Sequence, residues 1–309
     1  MTLRRVAIAG ALVTVAGLVG LYCLTQRAPE GYPRFETDEI DESSGLAASR
    51  RHPGVFWTHN DSGDVPRLFA VTADGRLRGE FSVEGAVLTD WEAITADLTG
   101  HLYIADSGNN DNERRDLVVY RVREPDLPLS GPPIRGRLQV DRRVEFSYPE
   151  QRAFPDPERE NFDAEAVFWA PHPATGEGTL YLLTKHRSDT RTVLYRFDDL
   201  SGTRPIRLVR VGELDVGGAE HAFGGMVTGA DATPGGQRLA VLTYHALFVF
   251  GRPERSDDYF TVPLARIDLD QSVTKQVEGV AWAGDGLLFS NEQGALFHID
   301  APLTRQFFP

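Results

Sequence analysis

The sequence predicts an all-β protein built from repeated four-stranded units, and three observations support this. Beyond residue 34 the chain shows no long amphipathic helical pattern. It shows short runs rich in Val, Leu, Phe, Tyr and Thr, bounded by Gly, Pro, Asp and Asn, which are typical of strands and turns. These runs recur in the same order, and four antiparallel strands repeated around an axis are the pattern of a β-propeller.

The first strand of each predicted unit begins with a polar residue, then Gly or Ala, then an aliphatic residue. The unit starts lie at positions 44, 92, 165, 228 and 278. The corresponding segments read SSGLAAS, DWEAITA, DAEAVFW, VTGADAT and VEGVAWA. Because the same pattern opens every unit, we expect these positions to be structurally equivalent.

A second and a third apolar strand follow in every unit, and the first four units add a more polar fourth strand. The second strands read GVFWTHND, HLYIADSG, TLYLLTKH, RLAVLTYH and LLFSNEQG. The second unit is lengthened by EPDLPLSGPPIRG and the third by DDLSGTRP, both of which are predicted insertions. The fifth unit has three clear strands, and RFETDEID (residues 34–41) is predicted to supply the missing outer strand and close the ring. This gives five blades, with six blades or a sandwich of similar strands as alternatives.

Residues 231–250, DATPGGQRLAVLTYHALFVF, resemble the blade consensus of TolB, YVTN and NHL-type bacterial propellers, with Gly235 where the consensus has Asp. Residues 35–309 as a whole resemble exported bacterial propellers, loosely the phytase-like and SdiA-regulated groups. The resemblance implies the fold and no particular activity, since propellers carry many functions.

The N-terminus predicts a membrane segment. Arg4 and Arg5 precede an uncharged stretch from Val6 to Leu24, long enough for one helix to cross a bilayer, and Arg27 follows. The paired arginines predict that the N-terminus stays in the cytoplasm and that the rest is outside. We therefore divide the chain into an uncleaved signal-anchor (1–27), a linker (28–34) and the propeller (35–309). A cleaved signal peptide with secretion, or lipidation at Cys23, is the alternative.

The charge balance limits the partners. The chain of 309 residues has a formal net charge of −13, and its first 27 residues carry no acidic group. An acidic domain lacks the basic surface that binding to nucleic acid requires. We expect a monomer that contacts the membrane through its N-terminal helix and binds a small molecule or a surface protein. Cys23 is the one cysteine, so the sequence has no intramolecular disulfide and no cysteine metal cluster.

The repeat predicts one site at the mouth of the central channel. In a propeller blade, the start of the first strand and the end of the second strand emerge on the same face, so polar residues there should converge. The candidate ligand-binding residues at these two places are Glu92, Glu165, Glu278, Asn60, Asp61, Asp106, Asn109, Lys185, Tyr244 and Asn291.

Three glutamates at one equivalent position predict a cation site. Carboxylates held close together need a cation, a proton or a basic residue, and Ca²⁺ accepts six to eight oxygen ligands. Glu92, Glu165 and Glu278 are therefore candidate Ca²⁺ ligands, as in the channel-mouth sites of paraoxonase and phytase-type propellers, which they resemble in residue type. The alternatives are glutamates that bind backbone amides, a pairing with Lys185 that makes a metal unnecessary, and acid–base catalysis without metal.

The stretch VFWTHNDSG (residues 55–63) places His59, Asp61 and Ser62 close together, as a nucleophilic site would. Asp-Ser-Gly recurs after the second strand of the next unit, which favours a turn over a serine nucleophile. The sequence contains no recognisable nucleophile, phosphate or dinucleotide motif, and catalytic residues stay unknown. We therefore predict a binding or interaction module outside the cytoplasm, with a metal-dependent hydrolase of phosphate esters, lactones or esters as the alternative.

Overall fold

The structure is a computed structural model that describes residues 29–156, 160–221 and 224–300. These residues form an all-β protein with a propeller-like arrangement of sheets, which confirms the predicted fold class at that level. Unit 1 contains β1 (Ser43–Ala48), β2 (Val55–Asn60), β3 (Arg67–Thr72) and β4 (Leu77–Glu84). Unit 2 contains β5 (Trp91–Ala96), β6 (His101–Asp106), β7 (Val118–Arg123) and β8 (Ile134–Ser147).

The remaining units follow the same antiparallel order. The sheet of unit 3 contains β9 (Asp163–Pro171), β10 (Gly178–Lys185), β11 (Arg191–Arg196) and β13 (Val209–Asp215). The short β12 (Ile206–Arg207) lies between β11 and β13 along the chain but pairs in parallel with β8. Unit 4 contains β14 (Val227–Ala232), β15 (Arg238–Thr243), β16 (Ala246–Gly251), a 3₁₀ turn (Tyr259–Thr261) and β17 (Pro263–Asp268). Unit 5 begins with the short helix α1 (Gln271–Thr274) and contains β18 (Val277–Ala283), β19 (Gly286–Asn291) and β20 (Leu296–Ile299).

The first strands of the five units adjoin one another in a closed cycle. β1 contacts β5, β5 contacts β9, β9 contacts β14, β14 contacts β18, and β18 returns to β1. One small residue from each first strand lines a single narrow cavity where they converge: Gly45, Ala93, Ala166, Gly229 and Gly279. Larger apolar side chains fill the space between neighbouring units, and Trp57 of unit 1 and Trp91 of unit 2 belong to one such buried cluster.

The long strand β8 joins three units at their outer edge. Its first half pairs in parallel with β4 of unit 1, from Ile134 to Gln139. Its second half pairs antiparallel with β7, and its end pairs in parallel with β12. The stretch predicted as an insertion therefore ends inside a strand, because Ile134–Gly136 already belong to β8.

Residues 34–41 do not form the predicted strand. Arg34 makes a single antiparallel bridge to Ala295, and the backbone N–H of Phe35 donates to Gly294 O at 3.0 Å. The chain then turns to unit 1, where Glu36 N donates to Gly75 O at 2.8 Å. The segment divides its hydrogen bonds between unit 5 and unit 1, so it cannot continue as a strand beside β20.

The predicted signal-anchor, residues 1–27, and the first residue of the predicted linker lie outside the described residues. Among the described residues, no helix is both long enough and apolar enough to span a bilayer.

Candidate functional site

A β-bulge interrupts the first strand of every unit at the same position. In unit 2, Trp91 pairs with Asp106 and Ala93 with Ala105, which leaves Glu92 without a cross-strand partner. The register shifts in the same way in the other units. The five residues at this bulge position are Ser44, Glu92, Glu165, Thr228 and Glu278. A bulge re-aims the side chain that it carries, and the repeat therefore places three glutamates in one orientation.

A second ring of equivalent residues follows from the strand registers. The last residue of the second strand pairs with the first strand at Asn60, Asp106, Thr243 and Asn291. The next residue along the chain therefore occupies a common position, held by Asp61, Ser107, Lys185, Tyr244 and Glu292. Successive side chains of an extended chain point in opposite directions. The residues of this second ring therefore point away from the side to which the last paired residues, such as Asn60 and Asp106, point.

A cavity of about 170 Å³ is lined by eight of the ten residues in these two rings, all except Ser107 and Thr228. Six predicted residues line it: Asp61, Glu92, Glu165, Lys185, Tyr244 and Glu278. The other lining residues are Ser44, Asn110, Arg187, Gln276 and Glu292. We call this set the mouth cavity.

Four predicted residues do not line the mouth cavity, and their polar groups bind backbone groups or neighbouring side chains instead. Asn60 Nδ2 donates to Glu39 O at 2.8 Å, and Asn109 Nδ2 donates to Phe162 O at 2.8 Å. Asp106 accepts the backbone N–H of Asp90 at 3.1 Å and forms a salt bridge with Arg114 at 2.8 Å. Asn291 Nδ2 donates to Thr274 O at 3.0 Å. These side chains hold strand ends and turns together.

The predicted ligand-binding residues do not include seven residues at or near the mouth: Ser44, Asp90, Asn110, Asp163, Arg187, Gln276 and Glu292. A common sequence feature marks three of them, Asp90, Asp163 and Gln276. Each precedes a bulge glutamate by two positions, so the stretches read Asp-x-Glu in units 2 and 3 and Gln-x-Glu in unit 5. That repeated spacing was the available signal, since residues two apart in a strand share a face.

Lys185 lies at the centre of a buried chain of polar contacts. Its Nζ donates to Glu165 Oε1 at 2.6 Å and to Tyr244 OH at 3.3 Å. Tyr244 OH in turn donates to Glu278 Oε1 at 2.8 Å. Burial opposes the positive charge of Lys185, but Glu165 and the further acidic neighbours hold its pKa well above the usual value. Lys185 is therefore a fixed buried cation.

The mouth carries more carboxyl groups than basic partners. Arg187 pairs with Asp163 at 3.0 Å, and Lys185 pairs with Glu165 at 2.6 Å. Within the described part of the chain, five neighbouring carboxyl groups form no salt bridge: those of Asp61, Asp90, Glu92, Glu278 and Glu292. Such groups need a proton or a bound cation.

The electrostatics agree with this imbalance. Burial raises the pKa of Asp90 to about 6, and the charge of Asp61 acts in the same direction. Burial raises the pKa of Glu292 to about 7. Burial and the neighbouring Glu165 hold the pKa of Glu92 well above its usual value, and burial does the same to the pKa of Glu278.

Two sets of three carboxyl groups, with ligand atoms within 4.8 Å of one another, are close enough to share an ion: Asp61, Asp90 and Glu92, and Glu92, Asp163 and Glu165. The second set already holds the partners of Lys185 and Arg187. The first set has no such partner among the described residues. Glu278, the third glutamate of the predicted calcium site, belongs to neither set.

Gly108 makes the first set compact. A Cβ atom at this position would lie 2.2 Å from Asp90 Oδ2 and 2.5 Å from Glu92 Oε1. The two carboxyl groups therefore lie against bare backbone, which only glycine permits.

His59 and Ser62 do not form a catalytic pair. His59 is completely buried, and burial lowers its pKa to about 4. Its Nδ1 lies 2.9 Å from the backbone oxygen of Asn60, while Ser62 is exposed. The strand registers also make Asp61 of unit 1 equivalent to Ser107 of unit 2, and not to Asp106. The two Asp-Ser-Gly stretches are thus one position out of register.

Comparisons with known proteins give structural neighbours only. No family model matches the sequence, and no curated protein matches it. The chain is similar to the Dos1 propeller, with 12% identity over 84% of this chain and 55% of that one, at a TM-score of 0.39. It is also similar to a protein of unknown function from Desulfotomaculum acetoxidans, with 10% identity over 81% of this chain and 65% of that one, at a TM-score of 0.40. The chain thus spans less than two thirds of either neighbour.

Proposed function

We propose that this protein is a ligand-binding module, a five-bladed β-propeller whose mouth cavity binds Ca²⁺. One observation carries the proposal. Three buried or half-buried carboxyl groups that are close enough to share an ion, those of Asp61, Asp90 and Glu92, form no salt bridge in the described part of the chain. A bound cation would offset their mutual repulsion and keep them ionised.

Asp61, Asp90 and Glu92 would hold the ion. Their oxygens lie within sharing distance, and carboxylate oxygens are the ligands that Ca²⁺ prefers. Ca²⁺ takes six to eight oxygens in flexible geometry, and water would complete the set. Glu165 is not needed as a calcium ligand, because the ammonium group of Lys185 already neutralises its charge.

The test is a calcium titration of the purified protein by calorimetry, together with melting curves in Ca²⁺ and in chelator. We expect Ca²⁺ to bind and to raise the melting temperature. Glu92→Gln should weaken binding by at least about tenfold, because it removes one charged ligand. Glu177→Gln, an exposed residue on the turn between β9 and β10, is the matched control and should bind as the unmodified protein does. Equal melting in Ca²⁺ and chelator would refute the calcium site.

A metal-dependent hydrolase is the second candidate, and Glu165 favours it. Burial raises the pKa of Glu165 to about 7, against the opposing effect of Lys185, and an acid–base catalyst works best with a pKa near the working pH. The metal would polarise the substrate. Turnover of a phosphate ester, lactone or carboxylic ester in the presence of Ca²⁺, abolished by Glu165→Gln with calcium binding intact, would support this function over simple binding.

We also propose that the module is exported and anchored by residues 1–27, followed by a linker (28–34) and the propeller (35–309), and that it is a monomer. The support is the pattern of Arg4 and Arg5 before an apolar stretch. Protease added to intact cells should digest the propeller if it lies outside the membrane. Protection from protease in intact cells, with digestion after lysis, would refute the export.

A further inference from the structure

One buried oxygen of Glu278 accepts no hydrogen bond from the residues that the structure describes. Its side chain is only 4% exposed and lines the mouth cavity. Oε1 accepts the hydroxyl group of Tyr244 at 2.8 Å. Oε2 is buried and has no hydrogen-bond donor among the described residues. A buried carboxylate oxygen without a donor is costly, so this atom indicates a ligand that supplies one.

The surroundings of this oxygen are further acceptors. Glu292 lies beside Glu278, and the two carboxyl groups share a side-chain hydrogen bond, which requires a proton on one of them. Gln276 donates its Nε2 to Glu292 Oε1 at 2.8 Å, which fixes that carboxyl group in place. Both residues line the same cavity. Among the described residues, neither carboxyl group forms a salt bridge, so a bound cation would take the place of that proton and let both groups ionise.

Tyr244 OH contacts Glu278 and also Lys185, and the contacts of Lys185 show which chemical group binds a glutamate beside this hydroxyl group. There, the primary ammonium of Lys185 binds a buried glutamate and the tyrosine oxygen. Glu278 and Tyr244 repeat the pairing of a glutamate with this hydroxyl group, without the ammonium. An ammonium group has three donors, and the oxygens of Glu278 and Glu292 offer it acceptors. A Ca²⁺ ion needs more oxygens than two carboxyl groups supply, and Glu278 belongs to neither three-carboxylate set.

We propose that Glu278 and Glu292 form a subsite for a protonated primary amine, such as the end of a lysine side chain or of an alkylamine. This inference rests on the mouth cavity being a ligand site, as proposed above, but not on calcium. The ammonium donates to Glu278 Oε2 and to Glu292, and its alkyl chain leaves through the open side of the mouth. The mouth then selects a ligand that carries a primary amine, with Ca²⁺ bound on the unit 1 and unit 2 side.

The experiment titrates the purified protein with n-butylammonium in the absence of calcium, by calorimetry and by melting. Tetramethylammonium at equal ionic strength is the control ligand, because it has the same charge and no donor. We expect n-butylammonium to bind and to raise the melting temperature, and tetramethylammonium to do neither. Equal effects of the two cations would overturn the proposal, since charge alone would then explain binding.

Variants separate this subsite from the calcium site. Glu278→Gln should weaken n-butylammonium binding by at least about tenfold, the loss expected for one charge-assisted hydrogen bond, and should leave calcium binding within about twofold. Glu92→Gln should do the reverse. If Glu278→Gln does not fold, Glu292→Gln at the half-buried rim carries the same test. Unchanged amine binding in the folded variant, or its loss in Glu92→Gln, would overturn the amine subsite; failure of calcium binding alone would not.

Discussion

Units 2 and 3 present the same acidic residues to the mouth but differ in charge balance. Asp90 and Glu92 of unit 2 correspond to Asp163 and Glu165 of unit 3 by strand register. In unit 3, Lys185 and Arg187 neutralise both acidic groups. In unit 2, the equivalent positions hold Ser107 and Asn109.

Ser107 and Asn109 are used for a different purpose. Ser107 Oγ donates to Ala164 O at 2.8 Å, and the backbone N–H of Asn109 donates to Asp163 Oδ1 at 2.7 Å. Both contacts hold unit 2 to the first strand of unit 3. Asp90 and Glu92 are left without a basic partner among the described residues. In both units the carboxyl groups lie at the start of the first strand. The residues at the end of the second strand and after it determine whether these carboxyl groups have a basic partner within the protein or need a bound cation.

Removing the internal cation of unit 3 should have the largest effect. Lys185→Met keeps the side-chain volume but leaves Glu165 buried beside further carboxyl groups. Breaking a buried ion pair by deleting one partner costs about 3–5 kcal/mol. We expect a loss of that size in the free energy of unfolding, measured by urea denaturation at neutral pH.

Two variants sharpen this result. Lys185→Met with Glu165→Gln should recover part of the loss, because no uncompensated charge remains at that pair. Ser107→Ala, at the equivalent position of unit 2, should cost only about 1 kcal/mol, the value of one hydrogen bond. Similar losses for Lys185→Met and Ser107→Ala would contradict the difference between the units.

Gly108→Ala should have the next largest effect. Its new Cβ would displace the carboxyl groups of Asp90 and Glu92, and overpacking typically costs about 1–3 kcal/mol. Calcium affinity should fall by at least about tenfold, since two ligands move. At the equivalent position of unit 3, His186 already carries a side chain.

The control for Gly108→Ala is Gly235→Ala. A Cβ at Gly235 would meet nothing closer than 3.8 Å, so the free energy of unfolding and the calcium affinity should stay near those of the unmodified protein. If calcium affinity in Gly108→Ala equals that of this control, the ion does not lie between Asp90 and Glu92.

The repeat predicted the fold class and six of the residues that line the mouth cavity. The bulge glutamates were found because one local pattern opens every unit, and the cross-strand registers then gave them one orientation. Asn60, Asp106 and Asn291 do not line the mouth cavity, because a shift of one residue exchanges the two faces of a strand. The sequence shows where the second strand ends only to within a residue or two, so Glu292, one position further along, was left out of the predicted site.

The sequence pattern did not predict which acidic group each arginine near the mouth neutralises. Arg114 binds Asp106 within unit 2, whereas Arg187 binds Asp163 within unit 3. Both arginines follow a second strand, at different distances from its end. Which acidic group each neutralises depends on loop paths that no local propensity sets. The pairs that form leave the unit 1 and unit 2 side of the mouth acidic.

The pH dependence of stability should show a smaller effect at Glu292. Burial raises its pKa to about 7 in the folded protein, from an ordinary value of 4.5. The folded state therefore binds the proton more tightly than the unfolded state does. In the calcium-free protein, the contribution of Glu292 to the free energy of unfolding therefore falls as pH rises from about 4.5 to about 7, and it is smallest above about pH 7.

Glu292→Gln isolates this contribution from the buried histidines, which act in the opposite direction. The free energy of unfolding of the variant, minus that of the unmodified protein, should increase from about pH 4.5 to about pH 7 and then level off. Urea denaturation in chelator at several pH values measures it. A difference that stays constant across this range would show that Glu292 is ionised normally.

The smallest effect is expected at Ser62, and its neighbour Asp61 provides the comparison. Ser62 is exposed, while Asp61 lines the mouth cavity and belongs to the carboxylate set with Asp90 and Glu92. Ser62→Ala should change the free energy of unfolding by less than about 0.5 kcal/mol and leave calcium affinity unchanged. Asp61→Asn should weaken calcium binding by at least about tenfold. Loss of any hydrolase activity in Ser62→Ala would instead restore the serine nucleophile, because no structural role of this side chain would account for it.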